Sequence, residues 1–247
     1  MRLVVWNIRY GAGVGKAMHW PVPGIGYLRR NEPNRERIAT YLAGLDPDIV
    51  GLVEVDGGSI RAGVDQARAI ADALGHYSVY RCKYGPHSLG LRLPIISKQG
   101  NAFLAAPRVV GERFHYFSRG TKRLVIELEL EAVAIFLVHL SLRARHRQHQ
   151  LEHLQALIGE VAKPVLVVGD FNTLGGAHEL TRFKAALGLI SANAQGLATY
   201  PSDKPKRELD YILHDERIVI EHFAVGDSQA SDHLPMICDF LLSKVPA

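Results

Sequence analysis

Short, uninterrupted apolar runs recur along this chain, and several stop on a residue carrying an amide, a carboxylate or an imidazole. Leu3-Val4-Val5-Trp6 is followed by Asn7, Ile49-Val50-Gly51-Leu52-Val53 by Glu54, Val133 to Val138 by His139, and Val165 to Val168 by Gly169-Asp170. Runs of this length without polar alternation suit strands covered on both faces. Between them, Arg35, Ile38, Leu42 and Leu45 fall at helical spacing, and Asp46-Pro47 stops that helix. Further helices are expected over Val64 to Leu74, through Leu151, Leu154, Ile158 and Val161, and over 178–187. Strands are expected at Tyr77 to Tyr80, Ile95 to Leu104 and Leu124 to Leu130, then at Leu209 to Leu213, Ile218 to Val225 and Met236 to Leu242. A hairpin turning across Glu131 would pair two of these runs. Helices alternating with strands imply an α/β protein, and the hairpin implies mixed rather than purely parallel sheets.

With 247 residues, 47% hydrophobic and 22% charged, the chain can bury a substantial core, and one domain over 1–247 is the expectation. The net charge of +4 favours anionic partners without choosing among nucleic acid, phospholipid surfaces and small phosphate esters. No apolar run reaches membrane-spanning length, and Arg2 leads directly into a strand. Neither a transmembrane segment nor a signal peptide is therefore expected, and a cytoplasmic location follows as an expectation. Cys82 and Cys238 are too few and too far apart for a disulfide framework or a metal site, and read as structural thiols. The residues fix no oligomeric state.

The chemistry resides in the polar residues at strand ends and adjoining loops: Asn7, Glu54, His139, Asp170 with Asn172, Asp210, and Asp232 with His233. In stacked α/β sheets such ends gather on one rim, so residues distant in sequence converge. Several carboxylates there repel one another unless a cation intervenes, and hard oxygen ligands suit Mg²⁺ or Mn²⁺. Two histidines beside them supply a base to activate water and a donor for developing negative charge, as phosphoester cleavage requires. Singly, each residue has a bland reading: Gly169-Asp170-Phe171-Asn172 makes a tight turn as readily as a site.

Jointly, Trp6-Asn7-Ile8, Gly51-Leu52-Val53-Glu54, Gly100-Asn101-Ala102-Phe103-Leu104, Val138-His139-Leu140-Ser141, Gly169-Asp170-Phe171-Asn172, Leu209-Asp210-Tyr211 and Ser231-Asp232-His233 resemble, in order, the motifs of the endonuclease/exonuclease/phosphatase superfamily. The resemblance implies a four-layer α/β sandwich, two packed mixed β-sheets flanked by helices. It also implies a Mg²⁺- or Mn²⁺-dependent phosphoester hydrolase. It makes Glu54 the principal metal ligand with Asn7 and Asp232 beside it. Asp170 and Asn172 would orient water and the scissile phosphate. His233, held by Asp210, becomes the base or transition-state partner, and His139 a donor to a phosphate oxygen. A histidine at 139 matches the deoxyribonuclease and sphingomyelinase branches rather than the abasic-site endonucleases. The chain departs from the pattern at Val53, where a glutamine commonly precedes the metal-binding glutamate, and Asn101 lies in a segment whose role varies between branches.

Substrate contacts are expected from Asn101, Arg123 and Trp20, the last in an apolar loop, Met18 to Tyr27, that follows Asn7. That loop equally suits packing on a neighbour, and Lys122-Arg123 equally suits a solvated strand start; Lys83, Tyr84 and His87 carry the same ambiguity. His146, His149 and His153 share helical spacing, but the arginines and glutamines around them favour a solvated basic helix face over a metal site. The expected reaction is in-line attack of water on a phosphodiester in nucleic acid or a phospholipid headgroup. The alternatives are an inositol-phosphate type of phosphomonoesterase and a non-catalytic binding module on the same fold.

Overall fold

The structure, a computed structural model, describes residues 1–14, 32–85 and 88–243. The chain enters through β1 (Arg2–Asn7), α1 (Glu32–Leu45), β2 (Ile49–Asp56), α2 (Gln66–Leu74), β3 (Tyr77–Cys82) and β4 (Gln99–Ala105). It then crosses to β5 (Val109–Tyr116), β6 (Leu124–Leu130), β7 (Ala134–His139), α3 (Ala144–Gly159), β8 (Val165–Asp170), α4 (Thr181–Leu187), β9 (Ile190–Ser191) and β10 (Asp210–His214). It returns through β11 (Ile218–Val225) and β12 (Met236–Leu242). These strands form two six-stranded mixed sheets, ordered β11-β12-β1-β2-β4-β3 and β5-β6-β7-β8-β10-β9.

The side-chain period of a strand decides the layering. Leu3 and Val5 of β1 face one way into a core shared with Phe103, Ile126, Leu137, Val168, Ile212 and Phe240, which lies between the sheets. Val4 and Trp6 face the other way, against Ile38 and Leu42 of α1 and Ile70 of α2. On the second sheet, Phe136, Val138 and Val167 meet Leu151, Leu154 and Ile158 of α3 and Phe183 of α4. Helices, sheet, sheet and helices therefore stack as four layers, and the unbroken apolar runs follow because both strand faces are dry. The parallel pairs β1–β2 and β7–β8, with helices crossing between them, and the β6–β7 hairpin explain why the sheets are mixed.

The structure departs from the sequence expectations in particular places. The strand expected from Ile95 starts at Gln99, because the chain after Pro94 first makes a 3-10 turn, Ile96–Lys98, in which Lys98 N–H donates to Ile95 O at 3.2 Å. β5 lacks an apolar run because it is an edge strand with an exposed face. The helix expected over 178–187 is a 3-10 turn, Ala177–Leu180, leading into α4. Arg147 is buried rather than solvated: its Nε donates to Glu179 Oε2 at 3.0 Å and its Nη1 to Ser141 O at 3.0 Å, tying α3 to the loop after β7.

One glycine bears directly on the rim. Gly169, just before Asp170, has φ 129°, and a Cβ there would lie 2.0 Å from the Val138 carbonyl oxygen of the adjacent strand. Gly169→Ala should lose on the order of 3 kcal/mol of unfolding free energy, combining a glycine-only backbone with a collision that must be relieved. Chemical denaturation checks this, and a loss below about 0.5 kcal/mol would contradict the packing described.

Candidate active site

Strand register assembles the rim. His139 pairs with Asp170 across the parallel β7–β8 ladder, and Asp170 pairs with Asp210 across the antiparallel β8–β10 ladder. These three residues thus stand abreast on neighbouring strands. In the other sheet Asn7 ends β1 beside Val53 of β2. The packed sheets bring both sets together: Asn7 Nδ2 donates to Asp170 Oδ2 at 3.0 Å. Asp232 and His233 arrive on the loop before β12, anchored by Ser231 Oγ donating to Asn7 O at 2.6 Å and Trp6 Nε1 donating to His233 O at 2.8 Å.

Glu54 reaches the site differently from the expectation that it ends its strand. β2 continues to Asp56, and Glu54 sits in a register irregularity between Leu52 and Val55 with φ 56°. A left-handed non-glycine residue costs about 1–2 kcal/mol, and here Asn101 Oδ1 accepts the Glu54 N–H at 3.2 Å. Asn101, expected as a substrate contact, is buried with its Oδ1 against the backbone of Glu54. The Glu54 carboxylate is 16% exposed, with Lys122 Nζ at 3.7 Å and His139 Nε2 at 3.9 Å. Burial pushes this carboxyl up, but Lys122, His139 and Lys83 together hold it below its ordinary value.

Asp170 is more deeply placed. Its Oδ1 accepts the Asn172 N–H at 2.9 Å, and its Oδ2 lies 3.2 Å from His139 Nε2 and 4.0 Å from His233 Nε2. Burial opposes its ionisation, yet His139, His233 and Lys122 keep it well below the usual carboxylate range. Asn172, with φ 50°, makes the turn that supports this: its Nδ2 donates to Leu140 O at 2.9 Å, so its amide N–H₂ holds the strand end.

His233 and Asp210 form a second station. His233 Nδ1 lies 2.8 Å from Asp210 Oδ2, which also accepts Thr199 Oγ1–H at 2.6 Å. That geometry assigns the Nδ1 proton to His233 and turns Nε2 toward Asp170. Burial disfavours the imidazolium, but Asp210, Asp170 and Asp232 overcome it and raise His233 to about 10. Burial raises the Asp210 carboxyl, with Asp170 adding to the effect, while His233 and Thr199 pull it down. His139 goes the other way from His233: burial, then Lys122, lower its pKa against the pull of Asp170 and Glu54.

Two lysines complete the site, both of which the sequence left open between a phosphate contact and a solvated surface. Lys122 Nζ contacts His139 Nε2, whereas Arg123 turns away and donates from Nε to Phe117 O. Arg123, expected as a substrate contact, closes the end of the β5–β6 pair, since Phe117 N–H also donates to Arg123 O at 2.8 Å. The period of two offered the signal: Lys122 lies two residues before Leu124 and four before Ile126, both in the core between the sheets. Lys83 Nζ donates to Tyr10 OH at 2.9 Å, and burial followed by repulsion from Lys122 lowers its pKa to about 8 against the attraction of Glu54. Trp20 and the Met18 to Tyr27 loop, like His87, lie outside the described residues.

The donor set fits a hard divalent cation. Among the described residues no hydrogen-bond donor reaches the Glu54 carboxylate, and Asp232 beside it has Arg9 Nε at 3.2 Å and a distant Ser231 hydroxyl at 3.4 Å. Asp232 feels the charge of Glu54: burial, reinforced by Glu54, raises its carboxyl despite His233 and Arg9. Asp170, Asp210 and His233 also bring ligand atoms within 4.8 Å of one another, a group consistent with metal binding. A protonated His233 is a poor ligand, however, and the hydrogen bonds already made there favour proton handling. The described part of α3 brings no such group together around His146, His149 and His153.

A family model described as "Endonuclease/Exonuclease/phosphatase family" matches residues 4–233. The chain is 37% identical over 134 residues to the uncharacterized protein YbhP of Escherichia coli K12, a match covering 49% of this chain and 51% of that protein. The match thus spans about half the length of this curated relative. The human nocturnin catalytic domain with bound sulfate superposes with a TM-score of 0.71 at 22% identity, covering 98% of this chain and 94% of that one. The mannosyl-6-phosphatase Bt3783 of Bacteroides thetaiotaomicron gives 0.71 at 13% identity, covering 98% and 100%. At these identities the two structures establish a shared fold.

The His233 geometry predicts a pH response in the metal-free protein. Its folded pKa is raised above the ordinary 6.5 to about 10, so the stability it contributes is fully present below pH 6.5 and is lost as pH rises through about 10. Imidazole resonances of His233 should hold at the protonated position from pH 6 to 8.5, and Asp210→Asn should return the transition toward neutral pH. Midpoint titration near pH 6.5 in the unaltered chain would contradict the dyad.

Proposed function

The chain belongs to the endonuclease/exonuclease/phosphatase family, whose members are metal-dependent phosphoester hydrolases, and we propose that it is itself a divalent-metal-dependent phosphodiesterase. The carrying observation is the convergence on Asp170 Oδ2 of Asn7 Nδ2 at 3.0 Å and His139 Nε2 at 3.2 Å, with His233 Nε2 at 4.0 Å. An ionised carboxylate among these donors is suited to accept a hydrogen bond from a water molecule and so orient it for attack. His233, held by Asp210, presents a positive ring to the phosphoryl oxygens, where negative charge builds during in-line attack.

Glu54, Asp232 and Asn7 would hold Mg²⁺ or Mn²⁺. When bound, such an ion supplies Lewis acidity toward a phosphoryl oxygen. Lys122 is positioned to steady a non-bridging oxygen together with His139. Arg9, Lys83 and Lys122 each already face a carboxylate, Asp232 for the first and Glu54 for the other two. Among the described residues this leaves no dense cationic cluster for the second charge of a monoester, which supports a diester. A non-catalytic module is disfavoured because Glu54, Asp170 and His233 are all present.

The test is hydrolysis of bis(p-nitrophenyl) phosphate beside p-nitrophenyl phosphate, with Mg²⁺, Mn²⁺ or EDTA. Metal-dependent cleavage favouring the diester is expected, and His233→Ala should slow it by about 10²–10⁴-fold. Near-normal turnover in that variant, or cleavage undiminished by EDTA, would contradict the assignment.

A further inference from the structure

Next to Glu54 lies an open cavity of about 610 Å³ that the reaction described above leaves unused. Its wall is aliphatic: Ile60, Leu93, Pro94, Ile95 and Ile96 line it, and Glu54, Lys83, Tyr10 and Gln99 stand on its polar side. Ile60 is 81% exposed and Leu93 51%, so both present apolar surface to solvent at the edge of a catalytic rim. The pocket is thus amphipathic, with a greasy wall on one side and a lysine beside a carboxylate on the other. The 3-10 turn at Ile96–Lys98 and the bond from Ser97 N–H to Leu93 O fix the wall to the start of β4. Lys83 is fixed from the opposite side by Tyr10 OH at 2.9 Å.

We propose that this cavity is a substrate subsite that takes an aliphatic substituent of the phosphoester, placing the phosphate between Lys83 and the Glu54 side of the catalytic rim. The proposal rests on the hydrolase reading above and names the class of substrate. An ordered chain of methylenes gains by leaving water along such a wall, while Lys83 matches the charge of the attached phosphate. A nucleobase is the poorer occupant. Base recognition uses an open aromatic platform and paired polar groups. Among the described residues of this lining the one aromatic ring, Tyr10, is 4% exposed and already covered by Arg61 at 5.5 Å and Lys83 at 5.3 Å. Gln99 is the single amide side chain among the described residues of the lining.

Calorimetric titration of the full chain in Mg²⁺ with n-octyl phosphate below its micellar range, methyl phosphate and thymidine 5′-monophosphate tests the subsite without needing turnover. Octyl phosphate should bind at least about tenfold tighter than either of the others. Leu93→Asp and, at the more exposed position, Ile60→Asp should each reduce that preference below about threefold. Equal binding of the octyl and methyl esters, tightest binding of the nucleotide, or an octyl preference intact in both variants would overturn the subsite. Cleavage of bis(p-nitrophenyl) phosphate in the same samples reports separately on the hydrolase reading. An octyl preference without cleavage would sustain the subsite and contradict the hydrolase, whereas cleavage without the preference would do the reverse.

Discussion

Asp170 is an ionised carboxylate with almost no water around it, and the architecture of the site follows from what it takes to keep it so. Burying an unpaired carboxylate costs several kcal/mol. Here the donors come from different elements: Asn7 from the end of β1, Asn172 N–H from the turn after β8, and His139 from the end of β7. The Asn7 contact crosses from one sheet to the other. A one-residue slip in any of these strands would send the donor to the opposite face and leave the charge stranded. The register of both sheets and the charge state of the rim are therefore one constraint.

Around that charge the other groups divide into two stations. Glu54 and Asp232 face the opening with hydrogen-bonding capacity to spare, beside Lys122 and Arg9, and suit a hard cation. His233, Asp210 and Thr199 form a closed chain of hydrogen bonds that holds an imidazolium in one orientation. The two histidines shift in opposite directions: Asp210, Asp170 and Asp232 overcome the burial of His233, whereas burial together with Lys122 prevails at His139. One rim thus holds a positive and a more nearly neutral imidazole either side of the same carboxylate, as an in-line displacement requires on its two faces.

Much of this was legible because the strands are covered on both faces and so write themselves as apolar runs ending on the rim. Asn7, His139 and Asp170 fall where those runs stop, and the order of motifs resembled one family along nearly the whole chain. The bulge that turns Glu54 was not legible, since a run through Val53 reads as a strand that ends there. The hydrogen bond by which Asn101 holds that bulge was not legible either, being visible only across paired strands. Lys122 and Arg123 were separable in principle by alternation from Leu124 onward, but an edge-proximal strand start obscured the phase. Arg147 read as solvated because a helix stripe of arginines hides the one whose partner, Glu179, lies across a loop.

The division into two stations is tested most directly by Mn²⁺ binding, read by electron paramagnetic resonance, in the unaltered chain, Glu54→Gln and Asp210→Asn. The account predicts that Glu54→Gln weakens Mn²⁺ by at least about tenfold while Asp210→Asn leaves affinity within about threefold. The reverse order, with Asp210→Asn abolishing binding and Glu54→Gln tolerated, would contradict it and move the metal onto the Asp170, Asp210 and His233 group.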